Sequence, residues 1–156
     1  MSITVVISAS TDVDPDESFR RLADFERYAD YTATVRSVVV EDRAGQPHSS
    51  WRVDFRGGIL AWTERDDIDP VGRVLAFEQV DGDLERFVGR WEIDAAGSGS
   101  RLTFFAELDL GIPSLAPIVD PVARQALDSN MRTILRGLFA DARLDIDDVA
   151  PAWSSA

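Results

Sequence analysis

The chain has 156 residues, 45% of them hydrophobic and 9% aromatic, enough apolar material for one packed domain and too much for a disordered chain. Its 16 basic residues, all arginine, face 28 acidic ones, and the net charge of −12 argues against nucleic acid and anionic membrane surfaces while favouring a small or neutral ligand. The absence of cysteine excludes disulfides, thiolate nucleophiles and cysteine zinc sites together.

No apolar run approaches the roughly 18 residues of a membrane span. The N-terminus, Met1-Ser2-Ile3-Thr4-Val5, lacks the basic and apolar regions of a signal peptide, so a cytoplasmic product is expected, with one domain over 1–148 and a tail over 149–156. Ile3, Val5, Ile7 and Ala9 alternate as a first strand. Asp14 then caps a helix with Pro15 in its first turn and Glu17 placed to complete a capping box, and the helix runs through Phe19, Leu22 and Phe25 towards Tyr28 and Tyr31.

A strand over Val35 to Arg43 turns at Ala44-Gly45-Gln46-Pro47 into His48 to Arg56, with Trp51, Val53 and Phe55 on one face. Gly57-Gly58 reverses the chain into Ile59 to Ile68, Asp69-Pro70-Val71-Gly72 turns it again, and Val74 to Val80 follows. A tight turn is expected at Asp81-Gly82-Asp83. Beyond it Phe87, Gly89, Trp91 and Ile93 share one face, and a glycine between two aromatics suggests either a hollow beside them or a bulge in a packed sheet. Ala95 to Ser100 reads as a flexible hairpin loop, and Arg101 to Leu110 as a strand with Leu102, Phe104, Ala106 and Leu108 on one face. Pro113 and Pro117 form a linker, and a helix of more than twenty residues is expected from Asp120-Pro121, with an apolar stripe through Ala126, Leu127, Ile134 and Leu138. Sequential hairpins around one long helix make an α+β domain whose sheet curls against that helix.

Three polar residues stand on faces that should be apolar. Asn130 lies inside the helical stripe, where an amide must either tie helix to sheet or face a ligand. If Leu60 and Trp62 point inward, alternation also sends Glu64 and Asp66 inward, and a carboxyl desolvated in an apolar cavity is suited to general acid or base work near neutral pH. Asp66, next to the turn, is expected in water, and Glu64 is the favoured group. Gln79 joins it if Leu75, Phe77 and Gln79 form an inward face. The opposite parity of the Ile59 to Ile68 strand would instead turn Ala61, Thr63 and Arg65 inward. Asp12, Asp14 and Asp16 have the opening spacing of a calcium loop, but Glu17 occupies the glycine position and Ala23 the terminal ligand position. His48 is the only histidine, Gly97-Ser98-Gly99 lacks the strand-to-helix context of a phosphate loop, and Asp145, Asp147 and Asp148 read as a solvated helix end, with Trp153 beyond. Neither metal nor cofactor is expected.

The element order, the V-D-G-x-L-x-x-F-x-G-x-W-x-I segment at 80–93, the L-T-F-F-A-E-L-D-L strand at 102–110 and the N-M-x-x-I-L stretch at 130–135 resemble the START-like helix-grip superfamily, SRPBCC, and within it the polyketide cyclase/aromatase and coenzyme-Q-binding proteins. The resemblance implies a curved antiparallel sheet wrapped around the C-terminal helix, with Tyr28, Trp62, Trp91, Phe104 and Asn130 lining a hydrophobic cavity. Two positions depart from it: the family's catalytic arginine falls on Asp66 and its second-strand pocket tyrosine on Val35. The expected catalytic set is therefore Glu64, Asp66 and Asn130. The expected substrate-binding set adds Tyr31, Trp51, Phe55, Phe77, Phe87 and Ile134, around a cavity on the order of 300 Å³ or more. The expected function is a cofactor-independent cyclase or dehydratase of natural-product biosynthesis, acting on a hydrophobic or polyketide-like substrate. An acyl carrier protein could present that substrate only through a local arginine patch. The rival is a non-catalytic carrier or chaperone of a quinone or other lipid.

Overall fold

A computed structural model describes residues 3–55, 57–111 and 116–144. Eight strands form one antiparallel sheet in the order β2-β3-β4-β5-β6-β7-β1-β8. They are β1 Ile3–Thr11, β2 Val35–Arg43, β3 Gln46–Phe55, β4 Gly58–Asp69, β5 Val74–Gly82, β6 Arg86–Ala96, β7 Gly99–Asp109 and β8 Arg143–Leu144. Helix α1 (Pro15–Ala23) and a 3-10 helix (Phe25–Asp30) join β1 to β2, and α2 (Ala116–Leu138) follows β7. The curved sheet and α2 enclose one core. On the sheet side it takes the inward positions of β1, Val5, Ile7 and Ala9, and of β7, Leu102, Phe104 and Ala106; on the helix side it takes Met131, Ile134, Leu135 and Leu138. Alternation produces the first set and the 3.6-residue period the second.

Local chemistry sets the element ends. Asp14 Oδ1 accepts from the Glu17 backbone N–H at 3.1 Å and Pro15 begins α1, as expected. The capping box does not close, because the Glu17 carboxylate turns to Arg20 and Arg21 instead. Nor does α1 continue to Tyr31. It stops at Asp24, and the 3-10 helix rotates Phe25 and Tyr28 into the core. The turn expected at Asp81-Gly82-Asp83 lies further on, since β5 continues through Gly82, which pairs with Trp62. A register shift between Thr63 and Glu64 accommodates this extension. Gly82 has φ +147°, and a Cβ there would lie 2.5 Å from Trp62 Cα, so the position requires glycine. The Ala95–Ser100 loop shrinks to Gly97-Ser98, because β6 runs to Ala96 and β7 starts at Gly99. Helix α2 starts at Ala116, ahead of Asp120, which places Pro121 inside it. The short β8, which the sequence reading did not anticipate, pairs with Ala9 and Ser10. Pro113, Asp145, Asp147, Asp148, Trp153 and the 149–156 tail lie outside the described residues.

Candidate functional site

Between the concave face of the sheet and α2 lies a cavity of about 80 Å³, smaller than the sequence suggested. Its walls explain the difference. Trp51 and Trp62, directly paired across β3 and β4, stack with their planes 3° apart and centroids 6.0 Å apart. Phe87 meets Trp62 edge-on at 5.3 Å and Phe77 at 5.0 Å, while Phe104 meets Trp91 at 4.8 Å. These rings lean on one another, so apolar surface that could have faced a void is satisfied by neighbouring rings.

Gly89 shows the same effect. A Cβ on it would lie 2.6 Å from Phe77 Cζ and 2.3 Å from the Phe105 carbonyl oxygen. The glycine thus makes room for the Phe77 ring, and the hollow inferred beside Phe87 and Trp91 is filled by the protein itself.

Most of the expected wall is present and part of it is elsewhere. Tyr28, Trp51, Trp62, Glu64, Phe77, Phe87, Trp91, Phe104 and Asn130 border the cavity, as does Val35. Phe55 instead borders an adjoining pocket of about 60 Å³ that shares Trp62, Phe87, Leu127 and Asn130 with the first and continues towards Leu84 and Ala123. Tyr31 is outside both: its ring occupies the space left by the missing side chain of Gly137 and lies beneath the Arg27 guanidinium. Ile134 is fully buried in the core without reaching either space. Asp66 corrects the expectation that it lies in water, for it is 0% exposed. It sits behind Glu64 and does not border the cavity. Arg65 points to the outer face and pairs with Glu78 at 3.1 Å.

The polar centre is built on the facing inward positions of β3 and β4. Glu64, 4% exposed, accepts from Trp62 Nε1 at 2.9 Å. Behind it, Asp66 Oδ2 accepts from Ser49 Oγ at 2.7 Å, and Ser49 Oγ accepts from Trp51 Nε1 at 2.8 Å. Asp66 Oδ1 meets no N–H or hydroxyl donor among the described residues. The Glu64 carboxyl lies within hydrogen-bond reach of Asp66. Burial, and then the neighbouring Asp66, pushes the Glu64 carboxyl well above the usual carboxylate range. Burial also raises Asp66, while the bonds from Glu64 and Ser49 pull it back. Neither forms an ion pair with an arginine among the described residues. Desolvation disfavours the ionised form of both carboxyls, and Asp66 disfavours that of Glu64 further. Burial likewise raises the Tyr28 phenol far above its ordinary value, and its hydroxyl donates to the Leu22 carbonyl at 2.7 Å.

Gln79 pairs with Glu64 in register but donates its amide to the Leu84 carbonyl at 2.7 Å and does not border the cavity. From the helix side, Asn130 Oδ1 accepts from Thr34 Oγ1, and its amide nitrogen has no protein partner among the described residues. Ser49 and the polar role of Trp51 were not singled out from sequence. The available signal was a Ser-x-Trp alternation on β3 opposite the Trp-x-Glu-x-Asp alternation on β4. No group of three or more His, Asp or Glu side chains among the described residues could hold a metal ion. No helix among them is long and apolar enough to cross a membrane.

A curved antiparallel sheet gripping a long helix over an aromatic-walled cavity defines the START-like, helix-grip class of fold. The family described as "Polyketide cyclase / dehydrase and lipid transport" matches residues 11–134, and the chain belongs to that family. Among solved structures, TTHA0849 from Thermus thermophilus is similar at 23% identity and a TM-score of 0.76, over 88% of this chain and 94% of that one. The Zhui aromatase/cyclase from Streptomyces sp. R1128 is similar at 21% identity and a TM-score of 0.66, over 87% and 95%. A START superfamily protein from Mycobacterium smegmatis aligns at 16% identity and a TM-score of 0.73, over 89% and 97%. At these identities the likeness concerns the fold. No curated protein sequence matches the chain.

Proposed function

We propose that the protein is a polyketide cyclase/dehydratase-like enzyme of natural-product biosynthesis, which folds a hydrophobic, carbonyl-bearing substrate in the aromatic cavity and moves protons with Glu64. The observation that carries this reading is the position of Glu64: an ionisable side chain on the cavity wall, desolvated, with its carboxyl held well above the usual carboxylate range. Trp62 fixes the carboxyl through Oε1, and Asn130 supplies an N–H donor from the facing helix to orient a carbonyl oxygen. Substrate entry requires the rings to part, because the cavity at rest is smaller than a multi-ring ligand. The adjoining pocket, which shares Trp62, Phe87 and Asn130, offers the route.

The test is Glu64→Gln assayed on 2-tetralone, a neutral ketone with a benzylic α-carbon, by following deuterium exchange at that carbon above the rate in buffer alone. Exchange should fall about 100-fold or more, while binding, followed by tryptophan fluorescence, changes little. A second reading, a carrier of a quinone or other lipid, is favoured by the engagement of Glu64 with both Trp62 and Asp66, which leaves the carboxyl committed to the protein. Under that reading 2-tetralone binds and the wild-type protein does not accelerate its exchange.

A further inference from the structure

The geometry points to Glu64 and Asp66 as a single-proton dyad, in which Asp66 is a positioning residue that takes up the Glu64 proton and thereby turns Glu64 from an acid into a base facing the cavity. The inference rests on the proposed reading of Glu64 and deepens it by specifying the reaction step: removal of a proton from carbon next to a ketone.

The argument begins from hydrogen-bond accounting. Asp66 is fully buried, its Oδ2 is filled by Ser49, and its Oδ1 faces no fixed donor. An orphaned carboxylate oxygen at such a depth is costly, and the neighbouring group able to carry a proton to it is Glu64. Placing two protons on the pair would abolish the charge that receives the Ser49 hydroxyl bond, whereas placing none would leave two adjacent buried anions. One proton satisfies both constraints.

Among the neighbouring groups, His48 favours the charged form of Asp66. The titratable groups nearest the pair are His48 on β3, Asp67 on β4 and Tyr28 on the 3-10 helix. The His48 ring is bonded to the Gln46 carbonyl at 2.9 Å, and the Tyr28 hydroxyl is committed to Leu22. Trp51 locks Ser49, and Ser49 locks Asp66, so the acceptor geometry is fixed before a ligand arrives.

The step balances within the dyad. With the shared proton on Asp66, a Glu64 carboxylate oxygen takes the α-proton of the ketone. The C–H electron pair becomes the C=C bond, and the carbonyl π pair moves to oxygen. The dyad then holds two protons and returns one to that oxygen, giving the enol and restoring the singly protonated pair. No oxidant, reductant or second substrate is needed. The ligand class is thus a neutral, apolar ketone with an acidic α-carbon.

The experiment is a pH titration of the wild-type protein carrying 13C-labelled Glu and Asp side-chain carboxyls, with Glu64→Gln and Asp66→Asn as assignments, alongside 2-tetralone deuterium exchange. The expected result is two coupled resonances that lose one proton in the acidic range and keep the second to much higher pH. In Asp66→Asn the Glu64 resonance should titrate as a single site at lower pH, and exchange should fall at least tenfold with its pH profile displaced and 2-tetralone affinity unchanged. Independent titration of the two carboxyls overturns the dyad. So does an Asp66→Asn protein whose pH profile matches wild type while Glu64→Gln loses exchange, an outcome that leaves the proposed function standing. Coupled titration with no exchange in wild type removes the proposed function and keeps the shared proton. If Asp66→Asn fails to fold, the wild-type titration decides the question alone.

Discussion

Replacing Glu64 by glutamine should change how stability depends on pH, in a direction and slope that follow from burial. In the unfolded chain the carboxyl titrates near pH 4.3. In the folded chain burial and then Asp66 hold its proton to much higher pH. The folded state therefore binds more protons over a window that opens at about pH 4 and closes at the raised folded value. Stability is fully present below that window and is lost as pH rises through it, by about 1.4 kcal/mol per pH unit for each proton retained. Glutamine keeps the shape, since its carbonyl can accept from Trp62 Nε1 and its amide can donate to Asp66 Oδ1, and it has nothing to ionise.

The variant should match wild type at the acidic end and exceed it progressively above. Within the window each pH unit is equivalent to roughly 3–6 °C in midpoint for a domain of this size. Urea unfolding of both proteins at half-unit steps from about pH 4 to 8 measures it. Taking the difference cancels the repulsion of the −12 net charge. It also cancels the opposite slope of Glu17, Asp109 and Asp141, whose carboxyls are held low by hydrogen bonds. Parallel curves for the two proteins would refute the reasoning.

Asn130→Leu should keep the fold, with stability within about 1 kcal/mol of wild type because Thr34 retains the Thr32 hydroxyl at 2.9 Å, and should weaken 2-tetralone binding about fivefold. A loss of several kcal/mol in urea unfolding would mark the amide as structural. Gly89→Ala should destabilise by about 1–3 kcal/mol in the same assay, since the new methyl meets the Phe105 carbonyl oxygen as well as the Phe77 ring; an unchanged midpoint would contradict the packing described. Phe77→Ala should cost about 3 kcal/mol and enlarge the cavity between Phe87 and Phe104, seen as increased fluorescence of the neutral probe N-phenyl-1-naphthylamine. Unchanged probe binding would show that the space collapses.

Strand parity was legible in the sequence because a period of two leaves little choice once Trp62 is assigned inward, and Glu64 follows from it. Asp66 was misplaced for a physical reason. A position next to a turn is usually wet, but here Ser49 on β3 bonds the carboxyl in the interior, a contact that arises from pairing across 17 residues of sequence. Gly89 shows a different limit. A missing side chain announces space, while only the three-dimensional register of β5 and β6, with Phe77 opposite Gly89, reveals that the space is taken. Tyr31 was drawn into the expected pocket by extending α1 past Asp24, where the chain changes to a 3-10 helix and rotates that ring to the surface side of Gly137.

The parallel Trp51–Trp62 pair gives the molecule an optical gauge of its own interior. Both indoles border the cavity, and one is wired to Glu64 while the other is wired through Ser49 to Asp66. Excitation shared between rings 6.0 Å apart is sensitive to their separation, and indole emission is sensitive to the charge at the end of its N–H bond. Entry of a ligand alters the first quantity and movement of the buried proton alters the second. Occupancy and protonation can therefore be followed as two separate signals from the unlabelled chain, with Trp62→Phe as the variant that removes the ring pair and the indole bonded to Glu64 while leaving Trp51 to report on Asp66.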